Sequence, residues 1–464
     1  MQKYTGIGEW ITGFEGIASR DGPEESVHSD QEIAEWLRKR KEQCLVQIRK
    51  IDLEACTPWY YDHAEGSIRN RDGSFFRIVG MEAAYPDGTC VSQPMILQPE
   101  IGYLGIACKR FNGVWHFLMQ AKIEPGNINY VQISPTLQAT RSNFTRRHGG
   151  KEPPYLRLFK EMRQENILVD QIHSEQSSRF WGKRNRNVFI RVEEEVEELP
   201  SHRWMTLRQI SRCMAQNNLV NMDTRTVFSC MPYVFMMNGI SGYSPEFTRS
   251  MREIRHEDMT NIFLRINDYK MFGAPILRKV PLLSLKEWGF EDRRFCYQAG
   301  VWPYEVIFCD INIEGREVTQ WNQPLVAALG KAVFGLICRR RAGRWEVLVC
   351  VKPEPGCFDS VELGPSIQEE YGISRSRDAV AEAFFSAIQD PKNVRKDVIL
   401  SEEGGRFFHE QNRNVIVEVD ADFSYDPDRY IWTTLGSLNA LTQINNCLNI
   451  QLRNLLMLFF NLEG

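Results

Sequence analysis

Between Val114 and Glu124 apolar and polar positions alternate. Trp115, Phe117, Met119, Ala121 and Ile123 share one face, and His116, Leu118, Gln120, Lys122 and Glu124 share the other. A period of two predicts a strand. Its second face lines up an imidazole, an amide, an ammonium and a carboxylate, then enters a Pro125-Gly126-Asn127 turn and a polar, basic stretch. A solvated strand face is the ordinary reading of such polar positions; this assortment of proton-handling groups marks a candidate site instead.

Around that strand the pattern predicts further elements. Ser29-Asp30-Gln31-Glu32 has the form of a capping box ahead of Ile33, Trp36, Leu37, Cys44 and Ile48, an amphipathic helix. Asp72-Gly73 reads as a hairpin connection into a strand over Ser74 to Val79, and Phe111-Asn112-Gly113 joins a strand around Ile106 to Lys109 to the central one. Tyr155 to Glu165 is predicted helical, Val188 to Val192 a strand, and Thr206-Leu207-Arg208-Gln209 a second capping box opening a helix towards Leu219. From about Met237 to Trp288 no period emerges, which places a boundary near residue 240 and gives two units, 1–240 and 241–464.

The second unit repeats the first. Shifted by 230 residues, Gln93-Pro94, Gly105, Gly113, Trp115, Lys122, Glu124, Pro125 and Gly126 fall on Gln323-Pro324, Gly335, Gly343, Trp345, Lys352, Glu354, Pro355 and Gly356. Further on, Arg179-Phe180 and Asn185-Arg186-Asn187-Val188 correspond to Arg406-Phe407 and Asn412-Arg413-Asn414-Val415. Such a long period implies duplication of a whole domain rather than a solenoid. Positions kept in both copies are candidates for fold requirements. His116, Gln120, Asn127, Thr140, Asn143 and His148 face Glu346, Cys350, Cys357, Glu370, Ile373 and Asp378, so the polar set belongs to the first copy.

Composition narrows the classes. The chain has 464 residues, 43% hydrophobic and 25% charged, with a formal charge of −4, which fits ordinary globular domains and implies neither nucleic acid nor an anionic membrane as partner. No apolar run reaches the length of a signal peptide or membrane helix, so a cytoplasmic protein is expected. None of the twelve cysteines forms a CxxC pair, and Cys108, Cys309, Cys338 and Cys350 sit in apolar strands as reduced core residues.

Gln368-Glu369-Glu370-Tyr371-Gly372-Ile373 resembles the end of the Nudix hydrolase motif, whose glutamates hold magnesium. Pro365-Ser366 stand where its Arg-Glu pair belongs, so the ligand cage for that chemistry is incomplete. A Nudix-like fold is compatible with the sequence; Nudix chemistry is not supported. No HExxH, zinc spacing, nucleophile elbow or GxGxxG is present.

Longer motifs are more specific. Gln98-Pro99-Glu100-Ile101-Gly102, Gln120 to Asn127 (QAKIEPGN), Ser134 to Phe144 (SPTLQATRSNF), Lys183 to Asn187 (KRNRN), Asn221 to Arg225 (NMDTR), Trp321-Asn322-Gln323-Pro324 and Ser401 to Phe407 (SEEGGRF) resemble the NDP-hexose 2,3-dehydratases of deoxysugar and antibiotic biosynthesis, over nearly the whole chain. The resemblance implies an α+β fold of two Nudix-like modules, each a mixed sheet flanked by helices, the first carrying the active site and the second a degenerate copy. It also implies a homodimer, a 4-keto-6-deoxyhexose carried on dTDP as substrate, elimination of water without a cofactor or metal, and a downstream 3-ketoreductase. In such a reaction the C4 ketone acidifies the C3 proton, a base removes it, and the C2 hydroxyl leaves with help from an acid.

On that reading Glu124 is the candidate base, His116 or His148 the acid, and Lys122 and Gln120 donors to the developing oxyanion. Asn127, Thr140, Ser142 and Asn143 are candidates for the sugar hydroxyls. Arg141, Arg146, Arg147, Lys183, Arg184 and Arg186 are candidates for the diphosphate. Trp59 or Tyr60 would stack on the base, or else serve as core aromatics. Two rivals stand beside this reading: a nucleotide-sugar-binding protein without turnover, and a Nudix-like hydrolase requiring magnesium.

Overall fold

The computed structural model describes residues 26–73, 75–140, 152–233, 235, 243–314, 318–373 and 378–460. The first capping box closes as expected: Ser29 Oγ accepts from Glu32 N at 3.2 Å and Glu32 Oε2 accepts from Ser29 N at 2.7 Å. The helix Asp30–Glu42 follows and buries Ile33, Trp36 and Leu37. Strands Gly102–Phe111 and Val114–Ile123 pair antiparallel through Asn112 and Gly113, whose φ values of 50° and 87° suit the tight hairpin turn that matches strand twist.

This hairpin lies inside a seven-stranded mixed sheet. Arg184–Arg191 runs parallel to Gly102–Phe111, while His202–Thr206 and Val131–Ser134 pair antiparallel with Val114–Ile123. The central strand is buried on both faces. Trp115, Phe117 and Met119 enter the main core with Leu207, Val227 and Phe228 of the helices Leu207–Met214 and Met222–Ser229. Leu118 enters a second cluster with Phe159 and Trp204, on the side of the helix Leu156–Lys160.

The second half builds a matching seven-stranded sheet around Val333–Arg341 and Arg344–Pro353, again with one parallel neighbour, Gln411–Val419. Two smaller sheets tie the halves together by exchanging strands. Val46–Lys50 pairs with Tyr304–Ile313, and Ile276–Val280 pairs with Arg77–Ala84. At the centre, the helices Met222–Ser229 and Ile450–Phe459 pack on each other, and each buries an arginine that reaches into the other half. Arg225 Nη2 donates to Ser401 O at 2.8 Å and Arg453 Nη2 donates to Ser174 O at 2.6 Å.

Several elements differ from the sequence pattern. The strand expected from Ser74 begins at Arg77, and the helix expected over Tyr155 to Glu165 is only Leu156–Lys160 followed by a turn at Gln164–Asn166. The strand expected over Val188 to Val192 runs Arg184–Arg191, and the stretch after Asn127 holds the strands Val131–Ser134 and Leu137–Ala139. The segment read as irregular carries helices Pro245–Arg252 and His256–Asp268. Ser244 caps the first, with Pro245 at its opening position; charged neighbours obscured the buried stripe of Phe247, Met251, Ile262 and Ile266. All twelve cysteines are unpaired, and no helix among the described residues is long and apolar enough to cross a membrane.

Candidate active site

A cavity of about 330 Å³ opens at the end of the central strand, lined by Lys122, Glu124, Gln138, Thr140, Lys183 and Asp223 among others. It also takes residues from beyond residue 240, including Trp321, Gln323, Glu403 and Arg406. A larger open groove of about 770 Å³ beside the helix Asp30–Glu42 is edged by surface residues such as Arg38, Lys39 and Gln43 and gathers no comparable set.

Glu124 ends the strand at the Pro-Gly turn, where its N–H donates to Tyr130 O at 3.0 Å. The side chain is 2% exposed; Oε1 accepts from Gln138 Nε2 at 2.9 Å, and Oε2 is buried without a protein partner. Gln138 is itself oriented by Asn221 Nδ2, 3.0 Å from its Oε1, and by Lys122 Nζ, 3.3 Å from its backbone oxygen. Asn221 also caps the helix Met222–Ser229, accepting from Thr224 N at 2.9 Å, which sets Asp223 in the first helical turn.

Burial and mutual repulsion shape the electrostatics. Asp223 is held well above the usual carboxylate range by burial first, then by Glu175, Glu403 and Glu124, despite the helix N-terminus at which it sits. Burial pushes Glu175 up to about 7, against a hydrogen bond from Asn185 Nδ2 at 2.6 Å. Glu403 is pushed up to about 6 by burial and by Glu124. Burial brings Lys183 down to about 8, opposed by Glu100 and Glu175; its Nζ donates to Glu100 O at 2.7 Å. Burial thus strengthens the hold of all three carboxyl groups on a proton, which suits them to donate one near neutral pH.

Of the residues singled out from the sequence, Lys122, Glu124, Thr140, Lys183 and Trp59 line this cavity. Trp59 is also a core residue, 4% exposed, with Nε1 donating to Asn322 O at 2.8 Å. The others lie elsewhere. His116 sits eight residues up the strand from Glu124, roughly 26 Å away at strand rise, buried with its ring nitrogens facing Val27 N and Val114 O. Gln120 is outside the lining, and Asn127 is packed beneath Gly404. Tyr60 turns to Asp62 and Arg71, Arg184 lies over the ring of Phe358, and Arg186 is paired with Asp170. The alternation along the strand was right about faces but could not locate the cavity along them. Arg141, Ser142, Asn143, Arg146, Arg147 and His148 lie outside the described residues.

Gln98, Gln138, Asp223, Glu403 and Arg406 line the cavity without having been assigned a role from the sequence, as does Glu175. The first five stand inside the long motifs, which was the available signal. Glu175 stands in none of those motifs, but the repeat sets it on Glu402 of SEEGGRF, and the fold brings both to equivalent asparagines, Asn185 and Asn412.

A model of the NDP-hexose 2,3-dehydratase family matches residues 30–231 and again residues 263–459. Three relatives, each a dTDP-4-dehydro-6-deoxy-alpha-D-glucopyranose 2,3-dehydratase, align along most of their length. That of Saccharopolyspora spinosa is 37% identical over 433 residues, covering 90% of this chain and 89% of the relative. The Streptomyces violaceoruber protein is 35% identical over 433 residues, 91% and 95% respectively, and the Amycolatopsis orientalis protein 32% over 437 residues, 92% and 89%. With both halves matched and the cavity built from the motifs that carry the likeness, this chain belongs to the NDP-hexose 2,3-dehydratase family.

Proposed function

We propose that the protein removes water from dTDP-4-keto-6-deoxy-D-glucose to give dTDP-3,4-diketo-2,6-dideoxyglucose. The observation that carries this reading is the meeting, in one cavity, of Glu124 with an unpartnered buried oxygen, carboxyl groups whose hold on a proton burial strengthens, and the side chain of Lys122. Glu124 takes the C3 proton, whose acidity comes from the C4 ketone, and Lys122 donates to the oxygen on which the enolate charge gathers. The C2–O bond then breaks, and Glu175 delivers its proton to the departing hydroxyl, so that base and acid together release one water. The resulting enol becomes the C3 ketone as C2 takes a proton from solvent. Trp59 offers a ring face to the base, and Thr140 a hydroxyl to the sugar.

The same reading includes two Nudix-like modules arising by duplication, supported by the recurrence of strand order and pairing in the halves and by the double match of the family model. It includes a homodimer through the family likeness. A reactive vicinal diketone calls for a ketoreductase that consumes it. Twelve unpaired thiols suit a reducing cytoplasm.

Incubation with dTDP-4-keto-6-deoxyglucose in deuterated water, with the product trapped by a ketoreductase, tests the proposal. A 2-deoxy sugar carrying deuterium at C2 is expected. Release of thymidine monophosphate would identify a hydrolase, and tight binding with unchanged substrate a binding protein.

A further inference from the structure

The two halves place equivalent arginines in opposite electrostatic settings. In the first half, Arg179 is 3% exposed and reaches into the second, where Nη2 lies 2.8 Å from Glu370 Oε2 and 3.8 Å from Glu410 Oε1. Its counterpart Arg406 reaches the other way, into the active cavity. The contacts it makes there are to neutral groups: Nε donates to Gln98 Oε1 at 3.2 Å, Nη1 donates to Gly405 O at 2.9 Å, and the guanidinium lies 4.4 Å from the centre of the Phe76 ring. At the positions of Glu370 and Glu410, the first half has Thr140 and Lys183. Both acidic residues set against Arg179 are thus replaced beside Arg406, one by a lysine.

The loop that carries Arg406 is firmly held. Gly126 N donates to Gly404 O at 2.7 Å, His409 N donates to Gly126 O at 2.7 Å, and the rings of Phe407 and Phe180 meet at 5.7 Å. Lys183 and Arg406 converge on the same short segment, since Arg406 bonds the Gln98 side chain and Lys183 the Glu100 carbonyl. A planar guanidinium whose hydrogen bonds go to neutral groups, next to a buried ammonium, is a preorganised oxyanion site, with the buried Glu403 the nearby acid that acts on both cations. We propose that Arg406, from the second half, binds the diphosphate of the nucleotide sugar together with Lys183, so that the active site is completed across the two halves.

This rests on the nucleotide-sugar reading above, and the test separates the two. Binding of dTDP and of thymidine is measured by calorimetry for the wild-type chain, Arg406→Gln and Arg406→Lys. Arg406→Gln should weaken dTDP at least tenfold and change thymidine less than twofold, with Arg406→Lys recovering part of the loss. A folded Arg406→Gln that binds dTDP within twofold of wild type overturns the assignment of Arg406 alone. A wild-type chain that binds no dTDP overturns the nucleotide-sugar reading itself. Should Arg406→Gln fail to fold, phenylglyoxal labelling of the wild-type chain read by mass spectrometry decides. Protection of Arg406 by dTDP but not by thymidine supports the proposal; equal labelling with and without saturating dTDP refutes it.

Discussion

Glu362 offers a quantitative test of how the second half tolerates buried charge. It is 1% exposed in the strand Val361–Pro365; Ser174 Oγ donates to its Oε2 at 2.7 Å, and Oε1 is buried without a protein partner. Burial pushes its carboxyl up to about 8, against the Ser174 hydrogen bond and Arg453, which both favour the anion. A folded chain that holds this proton more tightly than the unfolded chain is favoured at low pH and loses that advantage as pH rises through about 8. From the ordinary 4.5 of a free glutamate to about 8, at 1.36 kcal/mol for each pH unit, the full cost is about 5 kcal/mol above pH 9, with about 3 kcal/mol present at pH 7 and about 1 kcal/mol at pH 5. Glu362→Gln removes the titration while keeping the shape. The first half already has this arrangement: Gln132, at the equivalent position, exchanges hydrogen bonds of 2.7 and 3.0 Å with Ser401. Urea unfolding of both proteins at pH 5, 7 and 9 should show the variant gaining stability on the wild type by about 4 kcal/mol between the extremes. A difference that does not change with pH, or a variant less stable at pH 9, would refute the assignment of the cost to this carboxyl.

Glu124→Gln should lower kcat by about 10²–10⁴-fold while dTDP affinity, measured by calorimetry, stays within twofold; an active variant would remove Glu124 as base. With Glu175 acting in its protonated form, kcat/KM should fall as pH rises through about 7. Glu175→Gln should leave only a low residual rate without that alkaline limb, and a profile unchanged from wild type would assign the limb to another group. Gly126→Ala places a Cβ 1.6 Å from Phe407 O. The turn and the loop bearing Arg406 must then part, and both melting temperature and turnover should drop; a variant with wild-type values would show the contact to be soft.

Much of this was written in the sequence, but unevenly. The capping boxes at Ser29 and Thr206 and the Asn112-Gly113 hairpin are local devices whose donors and acceptors lie within four residues of each other, so residue order alone reveals them. Strand exchange is different, since Val46–Lys50 finds its partner more than 250 residues away, and nothing in its five residues names that partner. The site was legible where one strand delivers it, at Lys122 and Glu124. His116 shares their face yet belongs to the hydrogen bonding of Val27 and Val114, because a strand face spans several environments along its length.

The repeat also changes what identity between copies means. Pro125-Gly126 and Pro355-Gly356 are kept in both halves because each turn presses on the other half's loop: a Cβ at Gly356 would lie 1.8 Å from Phe180 O, as one at Gly126 would meet Phe407 O. These are interface requirements. Lys122 and Glu124 are likewise kept as Lys352 and Glu354, and even the supporting amide recurs, since Gln368 Nε2 lies 2.8 Å from Glu354 Oε1. The lysine–glutamate pair is therefore insufficient to distinguish the two strand ends. What differs surrounds it: Asp223 against Gln451, Lys183 against Glu410, and Thr140 against Glu370. In the first half these exchanges supply a buried acid and leave a cation available for an anionic ligand; in the second they set Glu370 and Glu410 of the protein itself against Arg179. The charges around an equivalent strand end thus set the two halves apart, and the loop that crosses from the second half makes Arg406 and Glu403 part of the first half's cavity.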